Sequence, residues 1–262
     1  MLIAGLLSST RICLLVWLSL LSLEVHGNVL GFTNVDVLYQ SANYTGVRGV
    51  FQLMQGKSKI NNGLFNFLYF ATDETKGVIG LISYANSSKY QVQFSIWNAV
   101  GAEPNRQDKF VCNAFGDDAN DQGYQCYKEN FHLTQNGKYH LDVELENSNF
   151  VGYLSYRHYE NKRRSTNRTR IGTIKWSGDL HNIVPLAYRT QNYVDRQSCL
   201  LANELVAVNW APIQYKGIMA EDTRFDDNPQ LVYSNCTSQN IVIAVSARRD
   251  IVVYFSRPTR HL

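Results

Sequence analysis

Catalytic signatures are scarce in this sequence. There is no Gly-x-Ser-x-Gly elbow to raise a nucleophilic serine. No Cys-x-x-Cys occurs, and the histidines show no ligand spacing, so a zinc centre is not indicated. Internal repeats and low-complexity linkers are absent, and the five prolines are scattered, so nothing marks a joint between domains. Charge of one sign is also lacking: the net charge is +3, too weak a balance to imply a nucleic acid partner. Sustained 3.6-residue apolar periods are rare, which argues against a helical fold.

Long apolar runs are confined to the N-terminus. Arg11 precedes the stretch from Ile12 to Leu23, and Val25 and Gly27 stand where a signal peptidase prefers small residues. The stretch is short of the about 20 residues that span a bilayer core. Residues 1–27 are therefore expected to be a cleaved signal peptide and residues 28–262 a single secreted domain. The polar, basic end from Arg257 to Leu262 is neither a GPI-anchor signal nor an ER-retention signal, so no membrane span is expected after cleavage.

Secretion gives the cysteines meaning. Cys13 lies in the leader, which leaves Cys112, Cys126, Cys199 and Cys236, an even set in an oxidising compartment. Four cysteines allow three pairings, which sequence leaves open; pairing of sequence neighbours is the expectation. Glycosylation sequons stand at Asn43, Asn86, Asn167 and Asn235.

What the sequence does have is strands. Tyr90 to Trp97 alternates cleanly, with Tyr90, Val92, Phe94 and Ile96 on one face. Tyr139, Leu141, Val143 and Leu145 do the same, and Phe150 to Tyr156 follows a turn at 146–149. Ile241–Val245 and Ile251–Phe255 have hairpin spacing. One stretch, Ile183 to Asn192, is allowed a helix. Many short strands separated by Gly, Asn, Asp and Ser predict an all-β fold, a two-sheet antiparallel β-sandwich of jelly-roll type.

Several residues invite a functional reading. Asp117, Asp118, Asn120 and Asp121 form an acidic loop that a Cys112–Cys126 bridge would bracket; weak Ca²⁺ binding is conceivable there, although the spacing is not an EF-hand. Asp142, Glu144 and Glu146 share one face of a strand, where paired carboxylates would suit a glycosidase, but alternation makes that face the solvated one. Asn161 to Arg170 is strongly basic and reads as a solvated hairpin loop, with binding of sulfated or acidic glycans and cleavage by a trypsin-like or dibasic protease after Arg164 as the alternatives. Aromatics reach 12%, enough to furnish sugar platforms, and Trp97 and Trp176 are the candidates for outward rings, although covering the core or a second packed layer is the commoner role for such residues.

The order of motifs from Gly80 to Tyr139 resembles the uncharacterised DUF3472 family. Val92-Gln93-Phe94-Ser95-Ile96-Trp97 is similar to its Phe-Ser-[Val/Ile]-Trp strand, and Gly137-Lys138-Tyr139 to its Gly-x-x-Tyr strand entry. The span from Phe115 to Gly123 departs from its glycine-rich loop and lacks that loop's Glu. The resemblance, over about residues 65–210, implies a β-sandwich often found beside carbohydrate-binding modules and implies no reaction. The leading expectation is thus a secreted, lectin-like protein binding extracellular glycan through Trp97, Asp117, Asp118, Asp121 and Trp176. The rivals are a glycoside-active enzyme using the acidic strand and a protein-binding effector or structural factor.

Overall fold

The computed structural model describes residues 31–38, 44–55, 63–83, 89–117, 121–133, 137–160, 163–194, 206–215, 230–234, 240–245 and 251–256. Residues 31–262 form one compact unit. The first strands are β1 (Gly31–Leu38), β2 (Gly46–Gln55), β3 (Gly63–Ala71), β4 (Lys76–Ser83), β5 (Tyr90–Trp97) and β6 (Gly101–Pro104). Then come β7 (Val111–Phe115), β8 (Gly123–Phe131), β9 (Lys138–Glu146), β10 (Asn149–Glu160) and β11 (Arg163–Lys175). The last are β12 (Val184–Val194), β13 (Val206–Tyr215), β14 (Gln230–Ser234), β15 (Asn240–Val245) and β16 (Ile251–Ser256).

These strands make two sheets, and no helix occurs among the described residues. The first has the order β14-β1-β12-β3-β4-β5-β8-β7, the second β15-β16-β13-β2-β9-β10-β11-β6. Neighbouring strands pair antiparallel. The expected all-β sandwich is therefore the fold. Its core follows from the alternation: Val92, Phe94 and Ile96 of β5 join Leu141 and Val143 of β9 and Phe150 of β10 in one cluster. Each large apolar side chain so buried contributes about 1.5–3 kcal/mol. Phe70 meets Phe150 with ring centres 6.2 Å apart, and Tyr139 stacks on Tyr156 at 4.8 Å.

Local chemistry sets the turns and registers. The β9–β10 hairpin closes through Asn147 and Ser148, at φ 50° and 57°, the left-handed pair a two-residue type I′ turn requires. Gly152 faces inward beside Phe94; a Cβ there would stand 2.6 Å from that ring, so glycine lets the two sheets approach. Asn66 on β3 lies opposite Leu81 and Thr190, fully buried, with neither atom of its amide hydrogen-bonded.

Two expectations are corrected. The stretch 183–192 is not helical: β12 pairs with β1 and β3, and a bulge at Pro185–Ala187 breaks the alternation that would have marked it as strand. The basic stretch is not a loop either, because Arg163 to Arg170 already belongs to β11, laddered to β10. Cys199, Cys236, Asn43, Asn86, Asn235 and Asp118 lie outside the described residues. Asn167 is described, and it is exposed on β11.

Candidate functional site

The acidic strand comes first, because it carried the enzymatic reading. Asp142 and Glu144 do point away from the core, yet they are buried rather than solvated. Arg48 on β2 stands directly across from Asp142, and its Nε and Nη2 donate to both carboxylate oxygens at 2.6 Å. Arg168 Nη2 donates to Glu144 at 2.5 Å, and its Nε lies 3.6 Å from Asp142. The same guanidinium sits 3.6 Å over the Tyr153 ring, whose hydroxyl donates to Glu146 at 2.7 Å. The arginine stems cover the acids, as long cationic side chains do. The Asp142 hydrogen bond raises the pKa of Arg48 further. Carboxylates held this way act as partners for arginine, not as a general acid and base for sugar hydrolysis.

The two tryptophans flank the β3–β4 turn. Trp97 is buried: Phe115 packs edge-on against it at 5.3 Å, and Lys76 Nζ lies 5.0 Å over its ring. Its indole donates to Asp121 Oδ1 at 3.1 Å, while its carbonyl accepts from Thr75 Oγ1 at 2.5 Å. Burial lowers the Lys76 pKa, against the pull of Asp121. Trp176 is half-buried, edge-on to Phe150 at 6.3 Å, and donates to Glu74 Oε2 at 3.0 Å. Of the acidic loop, Asp117 is exposed and Asp121 is turned onto Trp97. Among the described residues no three His, Cys, Asp or Glu side chains converge on a metal position.

The margin of the first sheet, built by β5, β8 and β7, is different in kind. Gln91 Nε2 donates to Gln93 Oε1 at 3.2 Å, and Gln93 Nε2 to Ser95 Oγ at 2.9 Å and Gln125 Oε1 at 3.1 Å. This makes a ladder of neutral amides across two strands. Asn113 of β7 stands next in line, opposite Gln125.

β7 is an edge strand, and it is a bare one. Its sequence, Val-Cys-Asn-Ala-Phe, has no charge and no proline, the usual guards of a sheet edge. Cys112 and Cys126 are directly opposed, disulfide-bonded, with Cα atoms 4.1 Å apart. That closeness marks a non-hydrogen-bonded pair, so the N–H and C=O of Cys112 point away from β8. Two residues on, those of Ala114 point the same way. Phe110, two residues before, shows where this side leads: its N–H donates to the Asn105 carbonyl at 3.1 Å. Val111 is 49% exposed, and Asn113 and Ala114 are exposed. Ahead of β7 a cavity of about 430 Å³ is lined by Pro104, Arg106, Lys109, Phe110, Val111 and Cys112.

Sequence reasoning missed this margin. The ladder was visible only as the polar positions of an alternating strand, and edge status depends on strand order.

The chain matches no protein-family model and no curated protein. Among solved structures it is similar to Scytalido-glutamic peptidase bound to a peptide-based transition state analog. The identity is 9%, with 87% of this chain and 100% of that one covered, at a TM-score of 0.43. It is also similar to SCP-B, a member of the Eqolisin family of peptidases, in a complex with the tripeptide Ala-Ile-His. Here the identity is 7% over the same shares, at a TM-score of 0.38. These scores assign no activity to this chain. The lectin-like reading is corrected on the geometry of Trp97. Trp97 is buried, with Phe115 and Lys76 against its ring, so its indole offers no open face on which a sugar ring stacks.

Proposed function

We propose that this chain is a secreted polypeptide-binding protein that takes up an extended segment of a partner as an added strand along β7. One observation carries the reading: an uncharged edge strand whose Cys112 and Ala114 backbone groups face outward. Strand addition is a general mode of peptide recognition, in which main-chain hydrogen bonds supply affinity and alternate side chains specificity. The disulfide to β8 supports it further, because a fixed edge loses little entropy when a ligand docks. Beside that edge the half-buried Gln125 and Gln93 amides offer donors and acceptors to side chains on one face of the added strand. The signal-like leader and the disulfide suit an extracellular setting.

The test is to pan the protein against a random linear peptide library. The winners are then resynthesised with methyl groups on alternate backbone nitrogens. Methylation in one register should abolish binding and in the other should leave it, since only one set of amides faces the edge. Ala114→Pro removes a donor at a position where an edge strand tolerates proline, and should weaken binding about 2- to 10-fold for one net hydrogen bond. No enriched peptide, or peptides indifferent to methylation in both registers, overturns the proposal.

A further inference from the structure

The cavity ahead of β7 has a chemistry of its own. Arg106 and Lys109 line it with Pro104, Phe110 and Val111, so cationic and apolar residues share one lining. Neither cation makes an ion pair among the described residues. Asp108, in the same loop, accepts from Asn105 Nδ2 at 2.6 Å, and Glu103 is paired with Lys175 at 2.5 Å. Lys128 adds a third positive charge, its Nζ 5.6 Å over the Phe110 ring.

The loop is fixed rather than loose. Asn105 bonds through its N–H to the Ile171 carbonyl and through Nδ2 to the Arg170 carbonyl, which ties the loop to β11. Lys109 is held at φ 61°, a left-handed conformation uncommon outside Gly, Asn and Asp, with its N–H on the Arg106 carbonyl. Strain of this kind persists where surrounding structure determines it.

We infer that this cavity is a subsite for a carboxylate carried beside an apolar side chain, with Arg106 and Lys109 on the carboxylate and Pro104 and Val111 against the apolar group. The occupant rests on the strand-addition reading: the cavity opens at the start of β7, so it would receive the residue at one end of the added segment. Two sources share this chemistry, a C-terminal apolar residue and an internal Glu beside an apolar residue.

The small probe N-acetylphenylalanine, as its carboxylate, tests the subsite without the strand. In NMR titrations of the whole chain it should shift the amides of Arg106 to Cys112. N-acetylphenylalaninamide should bind at least about 10-fold more weakly, for loss of the charge-assisted bonds. Arg106→Gln with Lys109→Asn should weaken the carboxylate to the level of the amide. Asn is chosen at 109 because it tolerates the positive φ. Ala114→Pro should leave the probe unaffected. If carboxylate and amide bind alike, or the shifts fall elsewhere, the subsite is overturned whatever happens at β7. If the probe binds as described while no peptide adds to β7, the subsite stands and the strand-addition reading fails. Peptides ending in a free carboxylate, amidated, or carrying an internal Glu then separate the two sources.

Discussion

Asp142 shows how a single residue type can be read two ways. From sequence it is an acid on the solvated face of a strand; in the fold Arg48 and Arg168 close over it. The difference arises because β2 and β11 place arginines level with β9, a juxtaposition that spacing along one strand cannot reveal. Replacing Asp142 with Asn should lower stability by about 1–3 kcal/mol, discounted from the loss of a fully buried pair because Arg48 is 36% exposed. Chemical denaturation measures it, and an unchanged midpoint would count against the pairing. Asn66 predicts the opposite sign. Its amide is buried without partners, so Asn66→Leu removes a desolvation cost and should raise stability by about 1–3 kcal/mol. Tyr153 gives a pH signature. Burial, then its bond to Glu146, pushes its phenol up to about 12. The folded state keeps this proton while the unfolded chain releases it near 10, so the stability it contributes is present below pH 10 and falls between about 10 and 12. In Tyr153→Phe that part of the alkaline decline should disappear, as denaturation midpoints across the range would show.

Elements were legible in the sequence wherever one face alternates. Tyr90 to Trp97 forms β5 with its predicted face inward, and Ile241–Val245 pairs with Ile251–Phe255 as the spacing requires. The β9–β10 turn was equally readable from its run of Asn and Ser between two alternating stretches, and Asn147 is of a type that accepts a positive φ. β12 was not, because Leu186 is the extra residue of a bulge and shifts the alternation by one. Trp97 stands opposite the core face, as alternation sets it, and Phe115 and Lys76 cover it from other elements. The contact between β10 and β5 depends on Gly152. Gly152→Ala should drive a methyl into the Phe94 ring and cost about 1–3 kcal/mol, with thermal unfolding as the readout.

At the scale of the whole molecule, two eight-stranded sheets leave edges, and β7 is one of them. Its openness could not be read from residues 111–115 alone; it emerges from the order of strands and from Cys112 standing opposite Cys126. The disulfide itself was the expected pairing, and it closes a 14-residue separation. Replacing both cysteines with Ser should cost about 3 kcal/mol in the chain-entropy account and should also weaken peptide binding by loosening the edge. The most direct measurement of the central claim is backbone hydrogen exchange with and without a panned peptide. Protection rising at Cys112 and Ala114, with Val111 and Asn113 already protected in the free protein, is the result strand addition predicts. Protection confined to another strand, or none at β7 when the peptide is bound, would contradict it.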